Sequence, residues 1–191
     1  MDKISNYDMR HLNSRLSLGF AGHKLGAGEV FLKDGDSAYF SSDVSLAWLP
    51  KNTTTGFFVG PAITGRFDFG RNNRIFGAGI GGRIGLKPDD GRGYGFAIDL
   101  LYEYLDGMYK YAPYYGDPTA VPDFKMHQNR SQGWASRISA DYWFNPDIAL
   151  GIFLDICGHW GIGDSVLDTT GFKLGAAVTW DILGMTRKSI K

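Results

Sequence analysis

The sequence predicts an all-β protein, a single up-and-down antiparallel barrel of about eight strands that crosses a membrane on those strands. Three observations lead there. Apolar and polar residues alternate with period two in segments of about ten residues. The connections between segments are alternately short and long. The apolar phase carries no charge inside any segment, whereas the other phase holds charges of both signs among small residues.

In Leu12–Ala21 the apolar phase is Leu12, Leu16, Leu18 and Phe20; in Tyr39–Leu49 it is Phe40, Val44, Leu46 and Trp48. Gly56–Phe69 continues with Phe57, Val59, Ile63, Phe67 and Phe69, and Ile75–Leu86 with Phe76, Ala78, Ile80, Ile84 and Leu86. Tyr94–Leu105 presents Phe96, Ile98, Leu100, Tyr102 and Tyr104, and Trp134–Phe144 presents Trp134, Ile138, Ala140, Tyr142 and Phe144. Ala149–Gly161, with Leu150, Ile152, Leu154, Ile156 and Trp160, and Phe172–Ile182, with Phe172, Leu174, Ala176, Val178, Trp180 and Ile182, close the series. An even count brings both termini to one end. The first, fifth and seventh connections (Gly22–Ala38, Gly107–Gly133, Ile162–Gly171) are long, but the third, on the same side, Gly70–Arg74, is short. All connections on the other side are short, as in membrane barrels with short turns at one rim and loops at the other.

Composition agrees. The 191 residues include 27 Gly, and 15% are aromatic, which suits tight sheet layers; mean hydropathy is only −0.19. No stretch approaches the roughly 20 apolar residues a spanning helix needs. Lys plus Arg and Asp plus Glu are both 20, so no basic stripe argues for nucleic acid. The lone Cys157 excludes an internal disulfide framework and reads as a small buried residue. The N-terminus lacks the apolar run of a signal peptide, so the expectation is a mature chain whose export signal has been removed. Residues 1–10 are expected as an N-terminal segment and 184–191 as a C-terminal tail, flanking one domain.

Periodicity alone does not say which phase meets lipid. A soluble lipocalin-like barrel would put the apolar phase inside. The polar phase, however, is Arg15, Arg66, Arg83, Arg137 and Lys173 against Asp43, Asp68, Asp99, Glu103, Asp141, Asp155 and Asp181, interleaved with Gly and Ala. An eight-stranded interior has room only for side chains, so small residues between paired charges suit a filled lumen. Lys or Arg on a lipid face costs about 2–4 kcal/mol at the midplane, which accounts for their absence from the other phase. Trp48, Phe69, Tyr102, Tyr104, Trp134, Tyr142, Trp160 and Trp180 lie in the apolar phase near segment ends, the place of aromatic girdles.

The last segment contains KLGAAVTW, which resembles the assembly signal closing outer-membrane barrels: polar residue, x, Gly, two residues, hydrophobic, x, aromatic. The matching positions are Lys173, Gly175, Val178 and Trp180, although here the chain runs on through GMTRKSIK. In overall plan the chain resembles small eight-stranded bacterial outer-membrane barrels such as the OmpA transmembrane domain and OmpX. That resemblance implies residence in the outer membrane, with outer-membrane lipid, lipopolysaccharide and the barrel-assembly machinery as partners. It implies no activity.

Other motifs have plainer readings. GAGIGG, from Gly77, formally fits GxGxxG, but a dinucleotide site needs that motif to open a helix. Here Gly77, Gly79 and Gly81 share the inward phase, where they clear space for lumen side chains. His159 reads as structural, with no metal cluster around it. A lipid A-modifying enzyme would need a histidine paired with a nucleophile, and no such spacing occurs, though the loop pairs His127 with Asp123 and His23 with Asp34 stay open. No cofactor is expected. The tyrosine-rich stretch 107–131, with Tyr109, Tyr111, Tyr114, Tyr115 and Phe124, is expected as a recognition loop beside loop 22–37. The partner would be a neighbouring membrane protein, a host-surface molecule or lipid. The expected role is therefore a barrel anchor with a salt-bridged, plugged lumen; a narrow, porin-like channel, a lipid-modifying enzyme and a soluble binding barrel remain as alternatives.

Overall fold

The computed structural model describes residues 7–26, 30–32, 35–50, 56–88, 91–113, 123–163 and 168–182, with side chains for 15–20, 56–88, 91–112, 123–163 and 168–182. The strands are β1 (Tyr7–Gly26), β2 (Val30–Leu32), β3 (Gly35–Pro50), β4 (Phe57–Gly70), β5 (Asn73–Leu86), β6 (Gly93–Pro113), β7 (Lys125–Asn145), β8 (Ile148–Gly161) and β9 (Asp168–Asp181). Eight of them pair antiparallel in the order β6-β5-β4-β3-β1-β9-β8-β7, and β6–β7 pairing closes the ring. Closure satisfies every strand edge within the span, which hydrocarbon demands.

The register measures the barrel. Cα partners followed once around from Asp106 are Phe76, Phe67, Phe40, Leu18, Ala176, Ile152, Ala140 and then Phe96, a return to β6 displaced by 10 residues. With eight strands about 4.8 Å apart and about 3.3 Å per residue, that shear tilts the strands by about 41° and sets a backbone radius of about 8 Å. Such a cylinder holds side chains and little else.

Two features depart from the sequence reading. The strands run further than the alternation suggested: β1 begins at Tyr7, inside the expected N-terminal segment, and β6 and β7 extend through Pro113 and from Lys125. Tyr109 and Tyr111 are therefore strand residues with buried side chains, not loop residues. Their parity with Glu103 and Leu105 turns them inward, where they cluster with Ile75 and Leu105. Loop 22–37 likewise holds a short strand, β2, paired to Tyr111–Pro113 of β6. The cause is the short β4–β5 turn. Because β5 starts at Asn73, opposite Tyr109, the β6 edge above it is left open, and β2 covers it. Tyr114 and Tyr115, together with 184–191, lie outside the described residues.

Candidate functional site

The two faces of the sheet are chemically opposite. Outward side chains such as Leu18, Phe20, Ile63, Ile80, Leu100 and Ile152 are each at least 60% exposed. No water-soluble protein displays an apolar surface wrapped around its circumference; hydrocarbon is its natural solvent. The soluble, lipocalin-like alternative is overturned here, since it needs these residues inside.

Aromatic residues bracket this band. Tyr94, Tyr142, Phe144 and Trp180 sit at the end carrying the short turns, and Tyr94 packs edge-on against Tyr142 with centroids 5.2 Å apart. Tyr104, Trp134 and Trp160 mark the other end, with Tyr102 slightly deeper, its ring 6.3 Å from that of Trp160. Phe69 is also outward and exposed; the side chain of Trp48 lies outside those described. From Tyr94 to Tyr104 the tilted strand climbs about 25 Å, the height of the apolar band in outer-membrane barrels.

The inward face is a stack of ion pairs. At the short-turn end, Lys87 Nζ donates to the Pro146 carbonyl at 2.8 Å, lies 3.5 Å from Asp181 Oδ2 and sits 4.0 Å from the centre of the Trp143 ring. Burial lowers the Lys87 pKa, a shift opposed by the Asp181 carboxylate. Above it, Arg15 donates to Ser139 Oγ at 3.0 Å and lies 3.4 Å from Asp141, while Arg83 Nε lies 2.9 Å from Asp99. Asp43 stands opposite Arg15 in the β1–β3 register; its side chain is outside those described. Higher still, Arg137 donates twice to Asp155, at 2.7 and 3.1 Å, and Lys173 Nζ is 3.8 Å from the same carboxylate. Phe153 fills the space between Arg15 and Arg137, 6.0 and 5.1 Å from their guanidinium carbons. The uppermost group is Arg66, which donates to Glu103 at 2.6 Å and Asp68 at 2.9 Å, with His159 Nε2 3.1 Å from Glu103.

Glycines make room for this stack. A Cβ on Gly77 would meet Leu105 at 2.5 Å and the Arg66 side chain at 2.8 Å, and one on Gly79 would meet Thr64 at 2.8 Å and Glu103 at 3.0 Å. The GAGIGG run is strand, packed under Arg66 and Glu103. Cys157 is buried and free, and the described residues include no group of His, Cys, Asp and Glu able to hold a metal.

Several contributors escaped the sequence reading. Lys87 was grouped with a turn, although it shares parity with Arg83 and Gly85 and so continues the inward phase. Trp143 and Phe153, two bulky aromatics in the inward parity, are buried and fill the lumen. Of the assembly-signal positions, Lys173 is buried in the lumen, Gly175 lies against the β1 backbone at Leu18 and Gly19, and Val178 and Trp180 are half-buried on the outer face. Phe124 is half-buried between the described ends of β6 and β7.

No protein-family model and no curated protein matches the sequence. Solved structures do. Neisserial surface protein A aligns over 92% of this chain and 99% of its own, with a TM-score of 0.54 at 11% identity. The N-terminal β-barrel domain of Pseudomonas aeruginosa OprF aligns over 89% of this chain and 97% of its own, with a TM-score of 0.52 at 9% identity. At such identities the likeness concerns the fold. The fold is that of small outer-membrane β-barrels, and a closed barrel with this apolar exterior is suited to span a membrane.

Proposed function

We propose that this chain is an outer-membrane anchor whose lumen is plugged by its own ion pairs and whose outer rim engages a partner at the cell surface. The ion-pair stack carries the reading. Among the described residues, charged groups from Lys87 to His159 neutralise one another along the barrel and form no run of single-sign charge for a permeating ion. A radius of about 8 Å leaves little room beside the described arginines, Phe153 and Trp143, which supports a closed lumen. Buried charges paired and hydrogen-bonded on both sides are tolerable, whereas an unpaired one is not.

The rim supports the second half. β6 and β7 continue past Tyr104 for nine and seven residues respectively, measured from the Tyr104–Gln132 pair, and lift a hairpin above the bilayer. Its inner face is braced by Ile75, Leu105, Tyr109 and Tyr111, and Tyr111 stacks on His127 with centroids 4.3 Å apart. A braced hairpin is a rigid platform for a recognition loop. Phe124 and the tyrosines at 114 and 115 are the proposed contacting residues, with a surface protein or glycan as partner.

Planar-bilayer recording tests the plug: purified protein should show no stable conductance, and a steady open channel in the unmodified chain would sink it. Replacing residues 114–122 with a Gly/Ser linker tests the rim. Adhesion of expressing cells to surfaces bearing candidate partners should fall while heat-modifiable gel mobility is kept; unchanged adhesion would reject the loop's role.

A further inference from the structure

Just above the upper aromatic level, the outward face changes character across β5, β6 and β7. On β5, β6 and β7 the outward positions turn from Phe76, Tyr104 and Trp134 to Arg74, Lys110 and Arg130, and the exposed Arg71 stands in the adjoining turn. Register ties these cations together. Arg74 is the Cα partner of Met108, which in turn pairs with Gln128, two residues from Arg130. The Lys110 amide donates to the Asn72 carbonyl at 2.8 Å, which holds Arg71 beside Lys110. Asp106 is the acidic group in this patch; it lies 3.6 Å from Arg130 Nε and accepts from Gln128 at 2.9 Å. Among the described residues, four cations face this one carboxylate, which leaves the patch net positive.

On the adjoining strands β8 and β9, at a similar height, the outward positions are Trp160, Thr170, Phe172 and the acidic Asp168, with no cation among these described residues. Among the described side chains, the basic group thus ends at β7 and does not continue onto β8 and β9. Its location is specific too. Strand tilt places Arg74 and Arg130 within about 10 Å above Tyr104 and Trp134, the zone where lipid headgroups lie.

We infer that Arg71, Arg74, Lys110 and Arg130 form a binding site for the phosphate groups of an outer-leaflet lipid, whose acyl chains lie against Phe76, Ile80, Leu100 and Tyr102 below. The patch is continuous with the hydrocarbon-facing band, so one amphipathic molecule satisfies both surfaces. Guanidinium groups meet phosphate through paired N–H donors, and the interfacial setting strengthens that contact relative to water. The inference rests on the membrane-facing exterior alone. A closed lumen and a rim partner stand or fall separately.

The test uses the whole chain in detergent micelles, titrated with diphosphoryl lipid A and with the same lipid after phosphate removal, with bound lipid read by native mass spectrometry. The diphosphoryl form should bind at least about tenfold more tightly. The R74A/R130A double variant should lose that preference while keeping its weak binding of the dephosphorylated lipid, and Arg92→Ala at the opposite rim should change nothing. Both substituted side chains of the double variant are exposed, and far-UV circular dichroism confirms the barrel in each sample. Equal binding of the two lipids by wild type overturns the site, as does a double variant that binds like wild type. Inorganic phosphate occupying the protein as readily as the lipid overturns the lipid assignment.

Discussion

Arg137 holds Asp155 through two nitrogens, Nε at 2.7 Å and Nη2 at 3.1 Å, with each side chain no more than 2% exposed. The two residues face each other across β7 and β8, so backbone register alone brings them together. Removing one partner from such a pair strands the other charge. Asp155→Ala should cost about 3–5 kcal/mol, whereas an apolar replacement of both partners should cost much less. Urea unfolding in lipid vesicles reads the difference. A double Arg137→Met, Asp155→Leu variant less stable than Asp155→Ala would contradict a lumen held by charge compensation.

Depth on the outer face should set the cost of a charge. Leu100 lies midway between the aromatic levels, and Met108 lies above the upper one. Leu100→Arg is expected to destabilise by about 2–4 kcal/mol and Met108→Arg by about 0–1 kcal/mol. The same unfolding measurement applies. Equal costs would mean that hydrocarbon does not end near Tyr104.

Glycine clearance gives a third prediction. Gly77→Val puts a branched side chain against Leu105 and Arg66, so overpacking should cost about 1–3 kcal/mol and disturb the Arg66–Glu103 pair. Gly82→Ala is the control, because its Cβ would meet nothing nearer than the Gly60 carbonyl at 3.8 Å. Thermal shift of the two variants should separate them clearly; an unaffected Gly77→Val would show slack in the upper lumen.

Lys87 supplies a pH dependence. Its pKa in the folded protein is below the ordinary value of 10.5, because burial outweighs the help of Asp181. A lowered lysine pKa means the folded state binds its proton less well than the unfolded state. Stability contributed by Lys87 therefore rises as the pH climbs through the folded pKa toward 10.5, and is smaller below it. Wild type should gain stability relative to Lys87→Met over that climb, read as the difference between their unfolding midpoints. A gap that narrows with rising pH would reverse the sign and refute the assignment.

The distinction between outer and inner faces was legible because period-two alternation is a local property and each phase had its own chemistry. Leu18, Ile63 and Leu100 are never interrupted by a charge in their own phase, while Arg66, Asp99 and Asp155 share theirs with glycine and alanine. Strand number followed from the turns. Strand ends were harder to read, since β6 and β7 leave the membrane and their alternation there mixes Asp106, Met108 and Lys110 on one face. That is why Tyr109 and Tyr111 were taken for loop residues.

Sequence by itself determined a membrane-spanning sheet with a charged inside, because alternation and the cost of charge in hydrocarbon act residue by residue. Tertiary structure alone decided the pairings. Arg66 meets Asp68 on its own strand and Glu103 two strands away, and β2 covers an edge opened by a short turn elsewhere. Such matches depend on the shear of the closed ring, a sum over all eight interstrand registers that no single segment encodes.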